Sequence, residues 1–196
     1  MSAFLGPIHY WLYNKITLQE SLTADIINYA NQAGWSGDFE QYRNDDNRDL
    51  GEIIDEGNIH GWLQTRILDA EGRYAHLLAD ILQENADRIQ ELKHVAYDFG
   101  TKNLIQSEAN PTDIYQRFED ILLNGMPCDR INQVTEQSPE SISWEQVQDI
   151  HAQSFAHAGL TTESYYTLRY ELMRGMTKAT KYKVHSSGIN RYQIAL

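Results

Sequence analysis

One cysteine among 196 residues leaves no intrachain disulfide to form. That fits a reducing compartment, so a cytoplasmic location is expected. Proline is nearly as scarce, at four residues, and none falls between 50 and 99. No stretch of about 18 apolar residues occurs, which excludes a transmembrane helix and any membrane association through one. The N-terminus has no basic region ahead of an apolar run, so no secretory signal is expected. Several chemistry-bearing patterns are also missing: no phosphate-cradling glycine loop, no dinucleotide fingerprint, no nucleophile elbow, no His-Glu-x-x-His and no Cys-x-x-Cys.

Positive charge is short as well. Sixteen Lys and Arg face 28 Asp and Glu, for a net charge of −12. Five of the basic residues, Arg174, Lys178, Lys181, Lys183 and Arg191, lie in 174–196, which holds no acid; the remaining chain carries −17. An acidic body argues against nucleic acid as a partner. The basic segment 178–196 then docks on the chain's own acidic body, contacts an anionic ligand, or meets a second copy in a homodimer.

What the chain does have is a stretch used twice. Gly6, Ile8, His9, Trp11, Leu12, Ile16 and Glu20 recur at a constant offset of 51 as Gly57, Ile59, His60, Trp62, Leu63, Ile67 and Glu71, and Lys15 recurs as Arg66. The internal repeat covers 6–30 and 57–81. Apolar residues at helical spacing predict a first helix over 7–33, opened by Pro7 and stopped by Gly34. Residues 34–48 read as a loop. Periodicity then runs from Leu50 to about Phe99. One helix of that length spans about 75 Å, against a radius of gyration near 16 Å for a chain of this size, so a break is expected near Asn58 or around Asn85.

Asn110-Pro111 predicts another helix, to about Leu123. Residues 126–143 form the least regular segment. Ser143-Trp144-Glu145-Gln146 fits a capping box and predicts a helix from Trp144 to about His157. A last helix runs from Thr161 or Thr162 to about Thr177. Alternation around a Ser-Ser-Gly turn in 181–196 suggests a hairpin. The expected fold is thus mainly α: a single domain over 1–196, a bundle of about six helices centred on the repeat, with a small C-terminal β-hairpin.

On a helical wheel Glu56, His60, Gln64 and Glu71 fall on or beside the apolar stripe, and His9 and Glu20 share a side with Ile16 and Ile27. Polar groups there need partners. Each copy separates its His from its Glu by about 16 Å, so a shared site requires both copies. Antiparallel packing pairs His9 with Glu71 and His60 with Glu20. Parallel packing pairs His9 with His60 and Glu20 with Glu71. Either makes a buried His/carboxylate site of His9, His60, Glu20, Glu71 and Glu56, suited to a transition metal such as iron, zinc or manganese, or to acid–base chemistry. The competing reading is a packing device in which these groups satisfy one another. Glu91-x-x-His94 supplies only half of a di-iron pattern and lies off the apolar stripe.

Two further possibilities follow. Cys128, just after a turn and ahead of His151 and His157, is a weak candidate catalytic nucleophile, with the adjacent Asp129 opposing thiolate formation. Tyr166, Tyr170 and Arg169 on the last helix could line a small-molecule pocket. Three functional classes therefore stand open: a His/carboxylate site that holds metal, a non-catalytic ligand-binding or sensor module, and a Cys128-dependent enzyme.

Overall fold

A computed structural model describes residues 4–46 and 48–196. Residues 1–3, and Asn47 of the expected loop at 34–48, lie outside the described residues. The chain is mainly helical. Seven α-helices occur among the described residues: α1 (Pro7–Gln32), α2 (Leu50–Ile53), α3 (Ile59–Glu84), α4 (Ile89–Lys102), α5 (Pro111–Ile121), α6 (Ala152–His157) and α7 (Glu163–Met176). Strands β1 (Asn132–Gln137), β2 (Ile142–Gln146), β3 (Lys183–Gly188) and β4 (Arg191–Ala195) complete the fold.

Local chemistry sets most boundaries. Pro7 opens α1, where a missing N–H costs nothing, and Gly34 follows its end at φ +68, a conformation that suits a residue without Cβ. The long periodic region breaks at both expected places. The Asp55 side chain accepts from the Gly57 N–H, and Asn58 caps α3 by accepting from the Gly61 N–H; Asn85 likewise accepts from the Asp87 N–H ahead of α4. These short side chains satisfy backbone groups locally and so end the helical run. At α5, Asn110 accepts from the Thr112 and Asp113 N–H groups while Asp113 accepts from the Asn110 N–H, a reciprocal cap.

The capping-box reading at Ser143 is overturned. Residues 142–146 form β2, with Ile142, Trp144 and Gln146 turned inward. Trp144 lies against Tyr115, Phe118 and Tyr192, at centroid distances of 5.2, 6.0 and 5.4 Å. Burial on a period of two outweighs a local capping signal worth about 1 kcal/mol. The irregular segment before it holds β1. The C-terminal hairpin is present, but its turn falls at 188–191 rather than at Ser-Ser-Gly. It joins β1 and β2 in a four-stranded antiparallel sheet ordered β1-β2-β4-β3. Arg191 of the basic segment bonds Glu145 at 3.1 Å, so this part of the tail docks on the chain itself.

Helices α1 and α3 run parallel. His9 stands beside His60, Tyr13 beside Trp62, and Glu20 beside Arg73. Parallel neighbours need a return crossover, and residues 33–58 supply it, touching α1 at Asn28 through Arg43, at Glu20 through Asn44 and at Tyr13 through Arg48. Two apolar clusters result. The larger takes in Leu22, Ile26, Tyr74, Phe118, Trp144 and Leu172; the smaller takes in Leu12, Ile16, Leu63, Ile67, Ala70 and Leu123.

Helices α4 and α7 cross at two glycines. A Cβ at Gly100 would lie 2.1 Å from the Leu172 carbonyl oxygen, and one at Gly175 would lie 2.1 Å from that of Tyr97. Backbone meets backbone here, so no side chain can give way. Gly100→Ala is expected to lower unfolding free energy by about 2–3 kcal/mol or more. Gly72→Ala, at a helical position with open space, is expected to be neutral or stabilising by up to about 1 kcal/mol. Urea denaturation of both variants checks the contrast; equal behaviour would contradict the close crossing.

Candidate functional site

The two apolar clusters meet along α1 between Ile16 and Leu22 and along α3 between Ala70 and Tyr74. Polar side chains occupy that level. Glu71 Oε1 accepts from His151 Nδ1 at 2.8 Å, both groups being buried. The His151 ring stacks on Tyr165 with centroids 3.9 Å apart. Tyr165 Oη takes a 3.2 Å hydrogen bond from Arg169, which also donates to Asn124 Oδ1 at 2.7 Å. Asn124 Oδ1 accepts in turn from Gln146 Nε2 at 3.3 Å. The result is a continuous buried chain, Glu71–His151–Tyr165–Arg169–Asn124–Gln146, contributed by α3, α7, β2 and two loops.

Within it the guanidinium of Arg169 is only 4 % exposed, and its hydrogen bonds go to neutral groups. Burial opposes its charge, while Tyr165, Tyr192 and Glu119 favour it, with a net upward shift. Burial pushes the Tyr165 hydroxyl up to about 12 despite Arg169. Lys15, 2 % exposed, sits with its ammonium 4.2 Å from the Trp11 ring centroid. Desolvation brings its pKa down to about 8, against the pull of Glu119; Arg169 lowers it further and Asp120 opposes.

The second feature is a cleft of 250 Å³ between α1, α3 and the return crossover. The Tyr13 and Trp62 rings, 6.0 Å apart, form its aromatic wall. Glu20 lines it while holding Arg73 and Asn44; Asp45, Asp46 and Arg66 complete the polar side. Arg66 lies over the Trp62 ring at 5.4 Å and bonds Asp69 at 2.8 Å, yet its buried Nε has no acceptor among the described residues.

The residues singled out in the sequence are distributed differently from either expected arrangement. The histidines pair as parallel packing requires, rings 5.7 Å apart, but His9 is buried and takes the Gly6 N–H on its Nδ1, while His60 is exposed. Glu56 is exposed in the turn before α3. Glu20 and Glu71 do not pair: one holds Arg73, the other His151. Among the described residues no group of three or more His, Cys, Asp or Glu side chains is placed to share a metal ion. Cys128 is exposed with Sγ 3.9 Å from Asp129 Oδ1, and no contact joins it to a histidine among the described residues. Tyr166 bonds Asp149 at 3.0 Å and Tyr170 bonds the Val184 carbonyl at 3.2 Å, so these two and Arg169 face three different surroundings rather than one pocket.

Asn124, Gln146 and Tyr165 are not among the residues the sequence singles out as partners of Arg169, nor are Tyr13, Trp62, Arg66 and Arg73 as a cleft. Trp62 and Arg66 carried a signal: the repeated Trp-x-x-x-basic spacing puts each cation over the tryptophan one turn earlier. The joining of Glu71 to His151 across 80 positions carried none. A carboxylate that orients a histidine is an arrangement general bases use, but neither residue lines the cleft. Comparison with protein-family models, curated proteins and solved structures finds no match.

Lys15 generates a pH prediction. Its folded pKa, about 8, lies below the unfolded value of about 10.5. The unfolded chain therefore binds more protons between those values, and this residue's contribution to stability rises with pH across that window. Below about 8 the cost of the buried charge is fully present, on the order of 3 kcal/mol. Lys15→Met should be more stable than the parent at pH 7, with the gap closing towards pH 10 in urea titrations. A gap independent of pH would contradict the buried, depressed amine.

Proposed function

We propose that the chain is a small-ligand-binding module, of the sensor type and without chemistry of its own, and that its ligand lies in the cleft between α1, α3 and the return crossover. The observation that carries this reading is the meeting, in one 250 Å³ concavity, of the Tyr13–Trp62 wall with the half-exposed Arg66 side chain. Small-molecule sites combine apolar or aromatic walls with a few convergent polar groups. The ligand class that fits is a small molecule with a flat face for Tyr13 and Trp62 and a carboxylate or similar acceptor for Arg66. A guanidinium recognises such planar anions through its fixed donors. The Glu20–Arg73 ion pair and Asn44 brace the cleft, which keeps it formed before binding.

The test is a saturation-transfer NMR screen of small aromatic and heteroaromatic carboxylates against the parent, Trp62→Ala and Arg66→Gln. Ligands should bind the parent and weaken about tenfold or more in Trp62→Ala, the loss expected from about 1.4 kcal/mol of aromatic contact. Circular dichroism verifies that the variants are folded. An absence of binders, or binders indifferent to both substitutions, would refute the assignment.

A further inference from the structure

On the opposite side of α1 from the cleft lies a small, partly open cavity of 20 Å³ that reaches into the core. Its lining is apolar apart from Gln19, Tyr74, Tyr165 and Arg169. Those four have an unusual balance. Arg169 Nε and Gln19 Nε2 are buried N–H donors without an acceptor among the described residues. The Tyr74 hydroxyl makes no hydrogen bond to the described residues, and burial holds it well above the ordinary phenol range, so it remains an O–H donor. Tyr165 Oη already receives Arg169 and reaches the Leu123 carbonyl at 3.4 Å. The residues that line the cavity thus include three that carry N–H or O–H donors, Arg169, Gln19 and Tyr74, and no carboxylate. Glu71 and Glu119 are near enough to act on Tyr165 and Arg169 electrostatically, yet neither lines it.

We propose that this cavity is a binding site for a single halide-sized anion, chloride being the probe, held by Arg169, Gln19 and Tyr74. Three considerations support it. A buried cation is costly unless a charge compensates it, and among the described residues the hydrogen bonds of Arg169 go only to Asn124 and Tyr165. The adjoining Lys15 adds a second buried amine whose pKa is lowered first by desolvation and further by Arg169, a repulsion that a nearby anion would relieve. The volume exceeds the 10–15 Å³ needed for one water-sized occupant and so suits a single monatomic ion. The site is separate from the proposed ligand cleft, and its test does not depend on that reading.

The experiment follows thermal unfolding in sodium chloride, sodium bromide and sodium gluconate at equal ionic strength. Tm should climb by about 3–5 °C per tenfold increase in chloride above half-saturation, with bromide acting similarly and gluconate not. Gln19→Leu, a half-buried position, should shift the half-saturating chloride concentration upward about tenfold. Arg169→Gln should abolish the dependence. If Arg169→Gln does not fold, Gln19→Leu alone decides the question together with bromide anomalous scattering in crystals. Identical Tm in all three salts, the behaviour of a cavity holding only water, would overturn the proposal, as would a chloride effect unchanged in Gln19→Leu.

Discussion

Arg169 is the group around which the interior has to be arranged. A guanidinium stays charged, and in the core it demands hydrogen bonds of good geometry or costs several kcal/mol. Asn124 and Tyr165 meet that demand, and each is itself held: Asn124 by Gln146 of β2, Tyr165 by the Leu123 carbonyl and by stacking on His151. His151 is fixed by Glu71 of α3. One charge on α7 thereby orients groups from the sheet, the α5–β1 loop and α3. It lies where the two apolar clusters meet, beside Leu122 and Leu172 of the larger and Leu123 of the smaller. A buried network specifies a unique arrangement more than it adds stability.

The parallel pairing of α1 and α3 is the second organising constraint. Because the helices run the same way, residues 33–58 must return along them, and that return forms the third wall of the cleft. Corresponding positions of the two stretches then meet different surroundings. His9 caps its own helix inside the protein while His60 faces solvent; Glu20 takes an arginine while Glu71 takes a histidine. The alternation of roles explains why the repeated residues do not assemble into one symmetrical site.

Much of the helical frame was legible in the sequence because its signals are local: Pro7, the Asn58, Asn85 and Asn110 side chains, and Gly34 act within a few residues of themselves. The sheet was half legible. Alternation in 181–196 is local, whereas the strand at 142–146 becomes a strand through Tyr192, Phe118 and Tyr115, which no neighbouring residue announces. The need for partners at Glu20 and Glu71 was also readable, from their place beside an apolar stripe. Their identity was not, because Arg73 and His151 are brought in by tertiary packing. Arg169 stands out in the sequence beside Tyr166 and Tyr170 on α7, but those two turn to other elements, and its partners are Asn124 and the third tyrosine of that helix, Tyr165.

The central claim, that the interior is organised by Arg169 through neutral partners, is tested most directly by a double-mutant cycle of Arg169→Met and Asn124→Ala in urea denaturation. Asn124→Ala alone leaves the buried guanidinium short of an acceptor and should cost more in the parent than in the Arg169→Met background. The account predicts a coupling of about 1–2 kcal/mol between the two positions. Effects that add within about 0.3–0.5 kcal/mol would show that the contact does not organise the core and would contradict it.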